Sequence, residues 1–223
     1  MRPDSAPVIR LEDYEPAPYR IDTVHLTFKL APKATTVIAR LAISRQEETA
    51  PGTPLILDGD GLDLSGLALD GFPMLDTAYT AAPDRLEIAK PPADPFELEI
   101  RTRLDPDANT ELMGLYRSSG TYCTQCEAEG FRRITYFLDR PDVLSVYTTR
   151  IEARKSDAPV LLGNGNPLES GVLEGTDRHY AVWHDPHPKP AYLFALVAGD
   201  LGHIKDTFTT CSGKQVDLRI YVE

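Results

Sequence analysis

The stretch VHLTFKLAPKATTVIARLAI, residues 24–43, decides the fold class. Val24, Leu26, Phe28 and Leu30 alternate with His25, Thr27 and Lys29; after the turn-forming APKAT the alternation resumes with Val37, Ala39, Leu41 and Ile43. Patterning with a period of two puts apolar side chains on one face of a pleated strand, so the stretch predicts a β-hairpin with one buried face. Outward from it, the same pattern marks LDLSGLAL (62–69), RLEIA (85–89), PFELEIRTRL (95–104), VYTTRIEAR (146–154) and HYAVWH (179–184) as strands. Clusters such as PGTP and GNGNP separate them and supply the backbone angles that tight connections need. With 19 prolines and 15 glycines in 223 residues, and no sustained 3.6-residue stripe, the expected class is all-β, an antiparallel β-sandwich of two packed sheets. Only PDANTELMGLYRSS (106–119) has room for a turn of helix.

Near the end of the chain, AYLFALVA (191–198) reads as a fully buried strand, and the glycines at 199 and 202 break it. A boundary is therefore expected near residue 200, with a sandwich domain over 1–199 and the start of a truncated second domain over 200–223. The latter, DTFTTCSGKQVDLRIYVE, reads as a hairpin turning at Ser212-Gly213-Lys214, with Val216, Leu218, Ile220 and Val222 on one face. A lone two-stranded hairpin is marginal in water, which leads us to expect further polypeptide beyond it.

The formal net charge is −11, from 34 acidic and 23 basic residues. With no Lys/Arg cluster to interrupt that excess, phosphate backbones are repelled and no nucleic acid partner is expected. The run 191–198 is too short to span a bilayer, so no membrane partner is expected either. MRPDSAPVIRLEDYEP lacks the apolar stretch of an export signal. Three cysteines form no paired framework, which suits a reducing compartment, and a cytoplasmic location is expected.

The segment TYCTQCEAEGFRRITYFLDRPD (121–142) holds two pairs that could carry chemistry. Cys123 and Cys126 have the spacing of a metal or redox pair, but a structural zinc commonly takes two such pairs and no βαβ pattern surrounds this one. In an extended chain they point to opposite faces. The same parity places Gln125, Glu127 and Glu129 together, an anionic face suited to a protonated amine held by charge-assisted hydrogen bonds; Gly130 suggests a bend that leaves the orientation of Glu129 open, and a solvated edge strand fits the pattern as well. His179, His184 and His187 lie close in sequence, but strand parity and the Asp-Pro and His-Pro steps separate them. HExxH and GxSxG are absent, and GNGNP lacks the ending of a phosphate loop.

CTQCEAEGFRRITYFLDRPDV, then KPAYLFALVAGDL and DTFTTCSGKQVDLRIYVE, closely resemble the N-terminal part of bacterial aminopeptidases of the M1 family of zinc metallopeptidases. The likeness runs from YRIDTVHLTFKL onward. It implies a saddle-like N-terminal β-sandwich that caps a thermolysin-like catalytic domain of the same polypeptide. It also implies that Glu127 binds the free α-amine of a peptide substrate and that Gln125 lines the same pocket. The family's HExxH, its downstream glutamate ligand and its GxMEN segment are missing. No metal ligand or catalytic residue is thus expected here, zinc belongs to the full-length parent, and the isolated chain is expected to be inactive. The competing reading is a free-standing β-sandwich that binds a protein or glycan without catalysis.

Overall fold

The computed structural model describes residues 10–223. The first nine residues lie outside the described residues, and with them most of the segment in which no export signal is expected and the start of the expected 1–199 domain. Among the described residues there is no α-helix, only strands and four short 3₁₀ turns, and none of their helices is long and apolar enough to cross a membrane.

The alternation at 24–43 becomes the strands Tyr19–Lys29 and Thr35–Arg45, paired antiparallel with Phe28 opposite Val37. Val24, Leu26, Phe28, Val37, Ala39 and Leu41 are all buried. The turn between the strands is closed by Thr35, whose hydroxyl donates to the Ala31 carbonyl (2.7 Å) and accepts from the Ala31 amide (3.0 Å). A hydroxyl that satisfies both backbone groups can be buried without penalty, and Thr35 is.

This hairpin is the centre of an eight-stranded sheet with the order Asn166–Val172, Arg178–Lys189, Ser145–Arg154, Tyr19–Lys29, Thr35–Arg45, Phe96–Leu104, Asp63–Leu69, Phe72–Pro73. A four-stranded sheet (Val160–Gly163, Leu196–Gly199, Thr121–Gln125, Gly114–Ser118) and a three-stranded one (Leu55–Asp58, Arg85–Ile88, Thr80–Ala82) share one hydrophobic core with it. Between the layers Phe131 meets Phe137, Phe194 and Tyr147 edge-on, with ring centroids 4.9, 5.4 and 6.1 Å apart, and Phe194 stacks on Phe28. Edge-to-face contacts of this kind add about 0.5–1.5 kcal/mol each beyond area burial. The final hairpin, Gly202–Thr209 with Gln215–Val222, forms a sheet of its own and turns at Gly213, where φ is +82°.

Four expectations need correction. The all-β, largely antiparallel class holds, but among the described residues the sheets number four rather than two, and Tyr19–Lys29 pairs with Ser145–Arg154 in parallel. That pairing joins segments separated by most of the chain, so no local turn announces it. AYLFALVA is not one buried strand: Ala191–Leu193 is a 3₁₀ turn with Leu193 exposed, and only Leu196–Gly199 is extended. The helical turn in 106–119 does not form, because Gly114–Ser118 pairs with Thr121–Gln125. Finally, the Asp-Pro and His-Pro steps do not break Arg178–Lys189, which continues through Pro186 and Pro188. Near that end the strand's register with Ser145–Arg154 shifts between Ser145 and Tyr147, and prolines are tolerated at such irregular points.

Candidate functional site

The strand Thr121–Gln125 is fixed from three sides. Tyr122 is fully buried, its hydroxyl donates to Asp157 (2.8 Å), and the Arg117 guanidinium lies 4.7 Å above its ring while also bonding Asp157 at 3.0 Å. Burial and the Asp157 carboxylate push the Tyr122 hydroxyl far up, so it stays a neutral donor. The Thr124 hydroxyl accepts from the Leu196 amide (2.8 Å) and faces its carbonyl (3.3 Å). Gln125 pairs with Gly114 and is the strand's last residue.

There the expected parity stops. The chain does not run extended through TQCEAE: Cys126 turns inward and is buried, and Glu127, Ala128 and Glu129 form an exposed turn. The Gly130 amide closes it by donating to the Cys126 carbonyl (2.9 Å), and the Glu127–Ala128 peptide is cis. Gln125 and Glu127 still lie on the same exposed corner, with the Gln125 amide 3.4 Å from the Glu127 carbonyl oxygen. Glu129, placed on the same face by parity, diverges and meets Arg132 at 3.5 Å. Among the described residues the Glu127 carboxylate has neither an ion pair nor a side-chain hydrogen bond, so its negative charge faces solvent without compensation.

Beneath the turn, the 3₁₀ segment Phe131–Arg133 sends its side chains in opposite directions. Phe131 enters the aromatic cluster; Arg132 holds the Asp139 carboxylate with its Nε (3.0 Å) and backbone amide (3.2 Å), and the Asp139 carbonyl with Nη2 (3.0 Å). The Asp139 side chain is 2% exposed. Burial pushes its carboxyl up from the usual range, against the opposite pull of Arg132. For Arg132, burial disfavours the charge, but Asp139, Asp58 and Glu129 together hold the guanidinium above its ordinary value. Arg133 is pinned by Asp60 and Glu111, both at 2.7 Å. Sequence reasoning missed this network. Its one signal was charge, Arg132, Arg133 and Asp139, inside the otherwise apolar run FRRITYFLD.

No group of three potential metal ligands comes together among the described residues. The histidines are dispersed: His179 Nε2 contacts the Ala158 carbonyl (2.7 Å), His184 Nδ1 the Thr148 hydroxyl (3.0 Å), and His187 is exposed. The three cysteines are unpaired thiols. Burial pushes the Cys126 thiol far up and that of Cys123 up as well; such thiols are poor nucleophiles and poor ligands. Iodoacetamide on the native protein should therefore alkylate the exposed Cys211 and leave Cys126 unmodified until denaturant is added, as read by mass spectrometry of tryptic peptides. Rapid modification of Cys126 in the native state would contradict its burial.

The family model described as the peptidase M1 N-terminal domain matches residues 15–193. The chain belongs to the peptidase M1 family. This M1 chain is 51% identical over 223 residues to aminopeptidase N of Caulobacter vibrioides, an alignment that covers 100% of this chain and 25% of that protein. Among solved structures, Legionella pneumophila aminopeptidase A, in complex with aspartic acid, superposes with a TM-score of 0.89 at 35% identity, covering 96% of this chain and 25% of that one. The M1 zinc metallopeptidase of Deinococcus radiodurans gives 0.75 at 17% identity, over 91% of this chain and 47% of that one, a likeness of fold. The M1 chain thus spans about a quarter of the length of the curated relative.

Proposed function

We propose that this chain is the substrate-amine recognition part of a zinc aminopeptidase that removes N-terminal residues from peptides. Its partners are peptides with a free N-terminus and a catalytic domain in the same polypeptide, starting near residue 200. None of the described residues assemble a metal site, so zinc would be held by other polypeptide, and no step of the chemistry is assigned to this chain. Its share is binding: Glu127 accepts the α-ammonium and Gln125 lines the pocket beside it. Cytoplasmic action accords with the unpaired thiols.

The observation that carries this reading is the uncompensated Glu127 carboxylate at the tip of a turn whose two ends are both anchored. Had an internal arginine neutralised it, as Arg132 and Arg133 do for five neighbouring acids, an ammonium would gain little by approaching. A carboxylate aimed at one end of a cleft measures the distance from the substrate's N-terminus to the scissile bond, which is the physical basis of exopeptidase specificity.

Glu127→Ala in the complete enzyme should lower kcat/KM for alanyl anilides by roughly a hundredfold or more, as expected when a desolvated charge loses its partner. A change within about twofold, far below the tenfold worth ~1.4 kcal/mol, would remove Glu127 from the site. The same substitution should leave thermal stability within about 0.5 kcal/mol of the parent, because the side chain is exposed and has no partner to lose.

A further inference from the structure

We infer that Arg132 is a positioning residue for the Glu127 carboxylate, an inference that rests on the amine-binding reading above. Glu127 has no side-chain partner among the described residues, so its place is set by its backbone alone. On the entering side that backbone is held by the pairing of Gln125 with Gly114 and by buried Cys126. On the leaving side the turn closes at Gly130 and passes at once into Phe131–Arg133. Arg132 is the side chain there that ties the limb to three acids. It grips the buried Asp139 at carboxylate and carbonyl, meets Glu129 on the turn's return limb (3.5 Å), and lies 4.0 Å from Asp58. Its own carbonyl accepts from the Asp60 amide (3.0 Å).

Five hydrogen-bonding directions in one rigid plane make arginine suited to this task and lysine a poor substitute. With the grip loosened, the return limb is free to shift and Glu127 shifts with it. Displacement of a binding group by about 1 Å can cost on the order of a hundredfold in rate. Arg132 thus acts through Glu127 and touches no substrate.

The test is a double-mutant cycle in the complete aminopeptidase, with alanyl anilide as substrate, at a temperature well below the melting transition of every variant. Arg132→Lys, which keeps a cation beside Asp139, should lower kcat/KM roughly tenfold or more, chiefly through KM. Placed on Glu127→Ala it should change kcat/KM by less than about twofold, because the group it positions is gone. A merely structural role predicts the opposite, equal losses in both backgrounds, and that outcome overturns the inference while leaving the Glu127 reading intact. Wild-type kinetics for Arg132→Lys overturn it too. If Glu127→Ala alone is without effect, the amine-binding reading fails, and this inference with it. Should the lysine variant not fold, Asp139→Asn, which removes the anchor's charge at nearly constant volume, takes its place in the cycle with the same expected outcomes.

Discussion

Gly130→Ala should destabilise the protein by about 2–4 kcal/mol, although the backbone there is one that any residue adopts. Gly130 has φ −87° and ψ −16°, so the demand for glycine comes from space. A Cβ at this position would collide with the Gln125 carbonyl oxygen and stand 2.9 Å from the Cys126 Cα. Both are backbone atoms. The third neighbour, Met113 Cε at 3.2 Å, ends a flexible side chain and can move aside. To admit the methyl group, the turn must open, which breaks the 2.9 Å bond from the Gly130 amide to the Cys126 carbonyl. Overpacking of this kind costs roughly 1–3 kcal/mol, and the lost hydrogen bond about 1 more. The effect is read from urea unfolding midpoints, with Gly202→Ala as control: its nearest neighbour is 3.8 Å away, so it should stay within about 0.5 kcal/mol of the parent. Equal midpoints for the two variants would mean that the turn is slack. On the proposal that Glu127 binds the substrate amine, activity in the complete enzyme should fall together with stability, because the opened turn carries that residue.

How far the sequence could be read depended on whether an interaction was local. The hairpin over residues 24–43 was legible because a strand with one buried face writes its period directly into the chain. The parallel neighbour of Tyr19–Lys29 was not, since partners so far apart in sequence leave no joint signature in either. At the site, alternation of Gln125, Glu127 and Glu129 resembled a strand because acids two apart look the same in a strand as in a solvated turn. The distinguishing residue was Gly130, whose carbonyl accepts from the Arg133 amide as the chain passes into the 3₁₀ segment. The polar network escaped notice for the reason the parallel pair did. Arg132 is recognisable as a surface-type residue in an apolar run, but that Asp58 and Asp139 converge on it follows only from the pairing of Asp58 with Phe137 across the two segments.

The network also supplies the largest stability effect expected in the molecule. Arg132→Met should cost about 3–5 kcal/mol, the range for a buried ion pair that loses one partner. This is a large share of the roughly 5–15 kcal/mol that holds a domain folded. Asp139 is what makes the loss severe: its side chain is 2% exposed, and Arg132 supplies the guanidinium that bonds it. Burial already raises its carboxyl pKa in the native protein, with Arg132 pulling the other way, so removing the guanidinium must raise it further. The sign follows from proton counting. Between the unfolded carboxylate range and the raised native value, the folded state keeps a proton that the unfolded chain has released. Stability therefore falls as pH increases through that interval. Relative to the parent, Arg132→Met should be least destabilised near pH 4 and most near pH 7, as measured by urea titrations of both proteins at the two values. A difference independent of pH would identify lost packing of the arginine stem as the cause. Arg132→Met combined with Asp139→Leu should recover much of the loss and abolish the pH dependence, because an apolar pair leaves no charge to desolvate.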